Sequence, residues 1–320
     1  MTETTVHSSD QLIARAITIA REGRKKTVAV AAAQDVDVIG AVAQAQQDGF
    51  VDGILVGDAT QIHNLAREHR IDIDNLKVVD EADVNQAAHH AVRLASEKKA
   101  DVIMKGFLPT STLLKVVLDK QYGLRSENTL SHCAVLGIPG YHKLLNLTDG
   151  GMVVKPDRQQ KYQILENAVV VARALGLSPV KVAVSGNVNK ASEKSRHPSG
   201  DIEHLIKLVR AKLADVIIDG PMTLDAATSA KAAKLYDISG PVAADADIFL
   251  VDSIEECNII AKSLIQFAKA IFAGVIVGAK VPVSLVSRTD TIKNKKASLA
   301  IACLLADYYS QSGGRAKGER

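Results

Sequence analysis

Aromatic residues are scarce in this sequence: tryptophan is absent, and phenylalanine and tyrosine together make up only 3% of the 320 residues. Few rings are therefore available to stack on bases, and 39 basic residues nearly balance 36 acidic ones. Both observations argue against a nucleic-acid partner. The core must instead be built from alanine, valine, isoleucine and leucine, which suits helices packed on parallel strands.

Cysteine is also rare, and the three residues present, Cys133, Cys257 and Cys303, form no CxxC pair. This number and spacing support neither a disulfide framework nor a zinc site, and they fit a reducing compartment. The polar N-terminal residues lack a signal-peptide pattern, and no apolar run has the length of a membrane span. We therefore expect a cytoplasmic protein without a membrane partner.

The familiar nucleotide and metal signatures are missing as well. The sequence has no GxGxxG after a predicted strand, no P-loop and no HExxH. The acidic residues Asp219, Asp225, Asp245 and Asp247 permit a divalent metal, but they equally permit turn and interface hydrogen bonds, and we favour the structural interpretation. We therefore expect no metal or redox cofactor.

Short runs rich in valine and isoleucine alternate with amphipathic segments along nearly the whole chain. The predicted strands are residues 27–32, 53–56, 102–104, 134–136, 181–184, 216–218, 248–251, 274–277 and 283–286. Helices are predicted between them, for example over 36–47, 85–96, 159–175 and 255–273. In the last helix, Ser253 and Glu256 resemble a capping box, and Ile260, Leu264 and Phe267 predict a buried face. The alternation predicts an α/β protein with a mainly parallel sheet.

Polar residues follow several predicted strands, at the sheet edge where α/β proteins bind ligands. Lys105 and Gly106 follow one strand, and Ser287 and Arg288 follow another. An arginine there suits a phosphate, which its guanidinium binds through two parallel hydrogen bonds, while a serine hydroxyl suits a developing oxyanion. The competing interpretation is that Arg288 pairs with a neighbouring carboxylate and that Asp290 caps the next helix.

A series of motifs occurs in a distinctive order. They are Met104–Gly106, Thr110, Leu114–Leu118, Gly123–Arg125, Leu130–His132, Leu147–Met152 with Pro156–Asp157, Asp219–Pro221 with Leu224–Asp225, Ala246–Val251, and Gly278–Pro282 followed by Ser287–Asp290. Each motif alone is unspecific, but the ordered series resembles the phosphate acetyl/butyryltransferase family, and most closely its butyryl branch. The resemblance covers the chain from about Val28 to Leu305.

The resemblance implies the two-lobed, three-layer α/β fold of the isocitrate and isopropylmalate dehydrogenases, with a cleft between the lobes. It implies that residues 1–145 and 288–320 form the first lobe. Residues 146–287 would form a second, inserted lobe through which a homodimer forms. The loop-rich segment 137–157 marks the expected boundary.

The resemblance also implies a reaction, the reversible conversion of acyl-CoA and phosphate into acyl phosphate and CoA. The expected acyl group is butyryl, with acetyl as the alternative. Arg288 is expected to bind phosphate and polarise the thioester carbonyl, Ser287 to stabilise the oxyanion, and Asp290 to accept the thiol proton of CoA. Further residues expected to bind CoA or phosphate are Lys105, Gly106, Thr110, Ser131, His132 and Asn258. Direct attack requires no covalent enzyme intermediate.

Two positions depart from the family pattern. Cys257 stands where the family usually has glycine, and Asn294 stands where the acetyl branch has an aspartate that an asparagine cannot replace as a base. Lys115 lies near the register of an arginine of the acetyl branch. Two other functions remain open: a metal- and nicotinamide-dependent oxidative decarboxylase of the same fold, and an acyl-CoA-binding protein without catalysis.

Overall fold

The structure, a computed structural model, describes residues 5–186, 200–287 and 289–311. Within these ranges the chain forms two compact units. The first unit contains residues 9–128 and 271–311, and the second contains residues 5–8 with the described part of 129–270. Nearly all of the second unit is therefore an insertion into the first.

Strands and helices alternate along both units. The strands are β1 (Lys26–Ala31), β2 (Val51–Gly57), β3 (Lys77–Asp80), β4 (Val102–Lys105), β5 (Ser131–Gly137), β6 (Leu144–Thr148), β7 (Val180–Ser185), β8 (Val216–Met222), β9 (Ile248–Leu250), β10 (Ile271–Val277) and β11 (Val283–Ser284). The helices are α1 (Ser9–Ile19), α2 (Val36–Gln47), α3 (Ala59–Glu68), α4 (Val84–Ser96), α5 (Thr110–Val117), α6 (Arg158–Ala174), α7 (Gly200–Lys212), α8 (Leu224–Thr228), α9 (Ala230–Tyr236), α10 (Ile254–Ala268) and α11 (Ile292–Gln311).

In the first unit the strand order is β3-β2-β1-β4-β11-β10. Its strands are parallel except for β10, which runs antiparallel to β11. Helix α11 packs against β10, α1 and α2, and every residue from Ala297 to Ala306 is buried. A helix that is apolar on all sides belongs in the interior, so α11 is the core helix of this unit.

In the second unit the strand order is β5-β6-β9-β7-β8. Strand β5 runs antiparallel to β6, and the other neighbours are parallel. Helix α6 begins at a capping box in which Asp157 accepts from the backbone N–H of Gln160, whose side chain accepts in return from the N–H of Asp157. None of the helices in the described ranges is both long and apolar enough to cross a membrane.

All nine predicted strands are present, and α2 has the predicted bounds. The sequence pattern missed two strands. Strand β3 has no fully buried residue, so it lacks the apolar run of an interior strand. Strand β6 is buried throughout, but it lies in the segment 137–157 that was predicted to be loop-rich.

The predicted end of α10 is wrong. The helix was expected to continue to Ala273, but it ends at Ala268, and Lys269 takes a left-handed conformation with a φ of 55°. Residues 271–273 begin β10 instead. Their side chains continue the helical spacing of apolar residues, so periodicity alone does not separate the helix from the strand.

The dehydrogenase-type fold assignment is also wrong. That assignment followed the resemblance. The strands are mainly parallel, as their alternation with helices predicted, but each unit also contains an antiparallel pair, β5 with β6 and β10 with β11, so the sheet is mixed. Alternating strands and helices indicate the α/β class but determine neither strand order nor strand direction. The two compact units divide at 128/129 and 270/271. The expected division at 145/146 would cut β6, and the one at 287/288 would separate β11 from its parallel neighbour β4.

Candidate active site

Lys105 and Gly106 lie where β4 ends, beside the end of β1. Gly106 donates its backbone N–H to the carbonyl of Ala31 at 2.9 Å. A Cβ atom at position 106 would lie 2.1 Å from the carbonyl oxygen of Ala32. Only glycine therefore allows the backbone after β4 to approach the backbone after β1 this closely. The Lys105 side chain is buried, and its Nζ donates to the carbonyl of Gly106 at 3.2 Å.

Thr110 is the first residue of α5, which follows β4 after a four-residue connection. The N-cap of α5 is Pro109, which makes no side-chain hydrogen bond to the helix. By contrast, α2, α3 and α4 each begin at an aspartate whose carboxylate accepts a first-turn N–H. The α5 N-terminus therefore lacks the anionic cap that these helices have, and its dipole favours an anion.

Ser287 and Asp290 form a turn beyond β11, the strand that neighbours β4. The N–H of Ser287 donates to Asp290 Oδ2 at 2.6 Å, and the N–H of Asp290 donates to the Ser287 carbonyl at 3.2 Å. Ser287 is exposed, whereas Asp290 is buried. Arg288 lies outside the described residues.

Thr291 takes the cap position of α11. The Thr291 hydroxyl accepts the N–H of Asn294 at 3.3 Å, as a cap does, while the Asp290 carboxylate closes the preceding turn. Asn294 is buried, and its Oδ1 accepts the N–H of Phe272 at 3.2 Å. The position at which the acetyl branch has an aspartate therefore anchors the start of β10.

In the second unit, the loop after β6 is organised by Asp149. Its buried carboxylate accepts backbone N–H groups from His132, Gly151, Met152 and Val153 at distances between 2.8 and 3.2 Å. A carboxylate bonded in this way fixes the path of the backbone around it. Asp149 therefore shapes this turn.

His132 packs against the backbone of Gly150. The Gly150 N–H donates to the His132 carbonyl at 3.0 Å, and a Cβ atom at position 150 would lie 2.4 Å from His132 Nδ1. Burial lowers the pKa of the imidazole below its ordinary value, although the Asp149 carboxylate and the Gly150 backbone oppose that shift. His132 is therefore a neutral imidazole at neutral pH.

Ser131 and Asn258 lie close to this loop, and their polar groups bind other parts of the protein. Ser131 is fully buried, and its hydroxyl accepts from Nδ2 of Asn167 at 2.8 Å. Asn258 Nδ2 donates to the carbonyls of Gly150 and Ile254 at 3.1 and 2.9 Å. Asn258 thus ties α10 to the loop that follows β6.

The cysteine that departs from the family pattern is buried beside the same loop. A Cβ atom at position 150 would lie 3.5 Å from Cys257 Sγ, so the thiol fills space next to Gly150. Burial raises the pKa of the Cys257 thiol to about 12, and the negative charge of Asp149 adds to that shift. The side chain is therefore a protonated thiol, which is a poor nucleophile.

Two of the four acidic residues considered for a metal, Asp245 and Asp247, are paired with basic side chains. Lys143 Nζ lies 2.8 Å from Asp245 Oδ1 and 2.7 Å from Asp247 Oδ1. Burial opposes the ionisation of Asp245, but hydrogen bonds from Lys143, Lys181 and His142 hold the pKa of its carboxyl well below its usual range. Across the described part of the chain, no group of three or more His, Cys, Asp or Glu side chains has a metal-binding arrangement.

The structure thus brings the predicted residues together in two separate groups. Lys105, Gly106, Thr110, Ser287 and Asp290 belong to the first unit, while Ser131, His132 and Asn258 belong to the second. In both units these residues stand at the carboxyl ends of parallel strands or on the segments next to them. Polar residues in that position are typical of α/β enzymes that bind small anionic molecules.

Comparisons with known proteins agree with this class. The family model described as "Phosphate acetyl/butaryl transferase" matches residues 12–88 and 81–303. The chain is 41% identical over 290 residues to a protein of Bacillus subtilis (strain 168) named "Probable phosphate butyryltransferase", covering 90% of this chain and 95% of the relative. It is 38% identical over 298 residues to the phosphate butyryltransferase of Clostridium beijerinckii, covering 93% and 97%.

The chain therefore belongs to the phosphate acetyl/butyryltransferase family. A crystal structure of a branched-chain phosphotransacylase from Enterococcus faecalis V583 superposes with a TM-score of 0.73 at 32% identity. The alignment covers 88% of this chain and 99% of that protein. Because the matching fold is that of a phosphotransacylase, this similarity also overturns the dehydrogenase-type assignment.

We expect the His132–Gly150 packing to tolerate no side chain at position 150. Gly150→Ala should lower the free energy of unfolding by about 1–3 kcal/mol, because its Cβ overlaps the imidazole. Gly151→Ala is the control, since a Cβ there has nothing within 4 Å and should change stability by less than about 0.5 kcal/mol. Chemical denaturation measures both values, and equal stability of the two variants would contradict the packing argument.

Proposed function

We propose that this protein is a phosphate acyltransferase that converts acyl-CoA and inorganic phosphate reversibly into acyl phosphate and CoA. A phosphate oxygen attacks the thioester carbonyl, the C–S bond breaks, and the thiolate leaves and takes up a proton. The observation that carries this proposal is the sustained similarity to phosphate butyryltransferases over about nine-tenths of the chain. The polar groups at the strand ends supply suitable places for anionic substrates.

We propose butyryl as the preferred acyl group, with acetyl as the alternative. The support is that the two relatives compared above carry butyryltransferase names. The buried thiol of Cys257 adds a physical reason for attention to acyl length, because it fills space beside Gly150 that a glycine at position 257 would leave open.

The acyl group is transferred directly from CoA to phosphate, without an acyl-enzyme intermediate. An acyl-enzyme would require an activated nucleophile, and Cys257 is the side chain that the sequence offers for that role. Its thiol stays protonated because burial raises its pKa to about 12. The reaction therefore depends on holding both substrates in position, and effective positioning alone supplies a large part of such a rate enhancement.

We assign Arg288 to the phosphate and the thioester carbonyl, Ser287 to the developing oxyanion, and Asp290 to the thiol proton. Support comes from the exposed hydroxyl of Ser287 and from the turn that fixes it next to Asp290. Lys105 and the N-terminus of α5 at Thr110 provide positive potential for phosphate groups. We assign Gly106 to substrate binding in the first unit, and Ser131, Asn258 and neutral His132 to substrate binding in the second unit.

The two alternative functions have less support. An oxidative decarboxylase of the dehydrogenase type loses its fold argument, and Asp245 and Asp247 already pair with lysines. An acyl-CoA-binding protein without catalysis was suggested by Cys257 and Asn294, but both side chains have structural positions that are compatible with activity.

We also propose that the enzyme is a cytoplasmic homodimer. The support for a dimer lies on α10, where Ile260, Leu264 and Phe267 form the apolar face that the sequence predicted to be buried. Phe267 is instead 82% exposed, and Ile259, two turns earlier on the same helix, is 68% exposed. An apolar helix face left open to water is typical of a surface that another protein copy covers.

The reaction is tested by measuring phosphate-dependent CoA release from acetyl-, butyryl- and longer acyl-CoA. We expect turnover without added nucleotide, with butyryl-CoA the best substrate, and we expect Cys257→Ala to retain turnover. Initial rates should fit a ternary complex, because no acyl-enzyme forms. Dependence on NAD, or an inactive Cys257→Ala variant with a trapped acyl-cysteine in the wild type, would contradict the proposal.

The roles on the turn beyond β11 are tested by two substitutions. Arg288→Lys keeps the charge but loses the fork of donors, so kcat/KM for phosphate should fall by about 100-fold in a folded protein. Asp290→Asn keeps a hydrogen-bonding side chain but removes a base. In the reverse direction, in which the CoA thiol attacks acyl phosphate, its rate loss should therefore grow as the pH falls below the thiol pKa of CoA. Near-normal rates for Arg288→Lys would show that the site lies elsewhere.

The dimer is tested by placing a charge on the exposed face of α10. Sedimentation equilibrium should give a dimer for the wild type and a monomer for Phe267→Glu, because a buried unpaired carboxylate is costly. Gln266→Glu is the matched control, since it adds the same charge at an exposed neighbouring position and should remain dimeric. A wild-type protein that is monomeric at micromolar concentration contradicts the dimer.

A further inference from the structure

Lys295 is a buried lysine in the first turn of α11. Its side chain is only 1% exposed, whereas Lys293 two positions earlier is exposed. The next residue, Lys296, forms an ion pair with Asp48. Three lysines of one helical turn therefore have three different environments, and only that of Lys295 excludes water.

The ammonium of Lys295 is bound by the turn that carries the proposed catalytic residues. Its Nζ donates to the carbonyl of Asp290 at 2.6 Å and lies 3.4 Å from the carbonyl of Ser287. No carboxylate of the described residues forms an ion pair with it. The charge is therefore stabilised by backbone dipoles instead of a counter-ion.

This location is unfavourable for a lysine on grounds of stability alone. The N-terminus of a helix carries positive partial charge, which repels a cation in the first turn. Burial adds a desolvation cost, and an apolar side chain of similar length would avoid both effects. A buried cation at such a place is expected where an anion binds nearby or where the charge fixes a functional backbone.

We propose that Lys295 is a positioning residue for the acyl transfer, and this inference rests on the proposed function. By holding the Ser287 and Asp290 carbonyls, its ammonium fixes the turn on which the oxyanion donor and the proton acceptor stand. Its unpaired charge also gives this turn a positive potential, which favours an incoming phosphate. Lys295 acts through the turn and does not itself contact the reacting atoms.

The test compares two identical substitutions at neighbouring positions. Lys295→Met removes the ammonium and keeps a flexible apolar side chain, while Lys296→Met removes the partly buried partner of Asp48. Phosphorolysis of butyryl-CoA is measured at varied concentrations of inorganic phosphate and of butyryl-CoA. Thermal unfolding of each purified full-length variant is measured in the same buffer.

For Lys295→Met we expect kcat/KM for phosphate to fall by about 100-fold, the loss that a small misplacement of catalytic groups causes. The KM for butyryl-CoA should change by less than about twofold, and the melting temperature should not fall, because a buried charge has been removed. Lys296→Met should keep both kinetic constants within about twofold of the wild type. A lysine with a purely structural role would instead lower the melting temperature when it is replaced, without a selective loss of kcat/KM for phosphate.

The outcomes separate this inference from the proposed function. A wild type without phosphate-dependent turnover overturns the proposed function and the positioning role together. An active wild type with equal kinetics in Lys295→Met overturns only the role of Lys295. If Lys295→Met does not fold, Lys295→Gln, which keeps a donor without the charge, is measured in its place. Failure of both variants to fold means that the lysine is structural and also overturns the inference.

Discussion

Two buried charges that are stabilised by backbone groups determine how the polar edges of this protein are built. In the second unit, the Asp149 carboxylate accepts four backbone N–H groups, and in the first unit, the Lys295 ammonium is held by two backbone carbonyls. A charge removed from water must be satisfied in place, so each one fixes the loop around it. Ser287, proposed for chemistry, stands on the turn that Lys295 holds, and His132, near the start of β5, donates its backbone N–H to Asp149.

The two positions that depart from the family pattern, Cys257 and Asn294, also have structural roles. Cys257 packs as a small apolar group beside Gly150, and Asn294 holds the first residues of β10 through Phe272. Neither side chain has the properties of a nucleophile or a base in its position. Chemistry that depends on placing two substrates, and not on a reactive side chain, tolerates such changes as long as the turn at Ser287 keeps its shape.

Sequence patterns predicted nine of the eleven strands because buried strands in α/β proteins are continuous apolar runs. They missed β6 because glycine and proline nearby suggested a loop, and its antiparallel direction has no local signal. Ser287 and Asp290 were proposed as site residues because they follow an obvious strand. The sequence did not indicate a role for Lys295, because a cluster of lysines at the start of a helix is typical of a solvated surface. Only its burial and its carbonyl partners distinguish it from Lys296.

Buried charges are stabilised in different ways at the amino ends and at the carboxyl ends of the strands. We attribute the arrangement at the amino ends to stability and the one at the carboxyl ends to function. At the amino ends of the strands, buried charges are closed into ion pairs, as Lys26 with Asp307 and Lys143 with Asp247. Such pairs have no capacity left for an anionic ligand. At the carboxyl ends, Asp149 and Lys295 are stabilised by peptide dipoles, which orient the backbone but do not cancel the charge. Of these two charges, only the Lys295 ammonium adds a positive field at such an edge, and a positive field favours the phosphate that an acyltransferase must position. The Asp149 carboxylate would repel an anion, so its role is to fix the loop after β6.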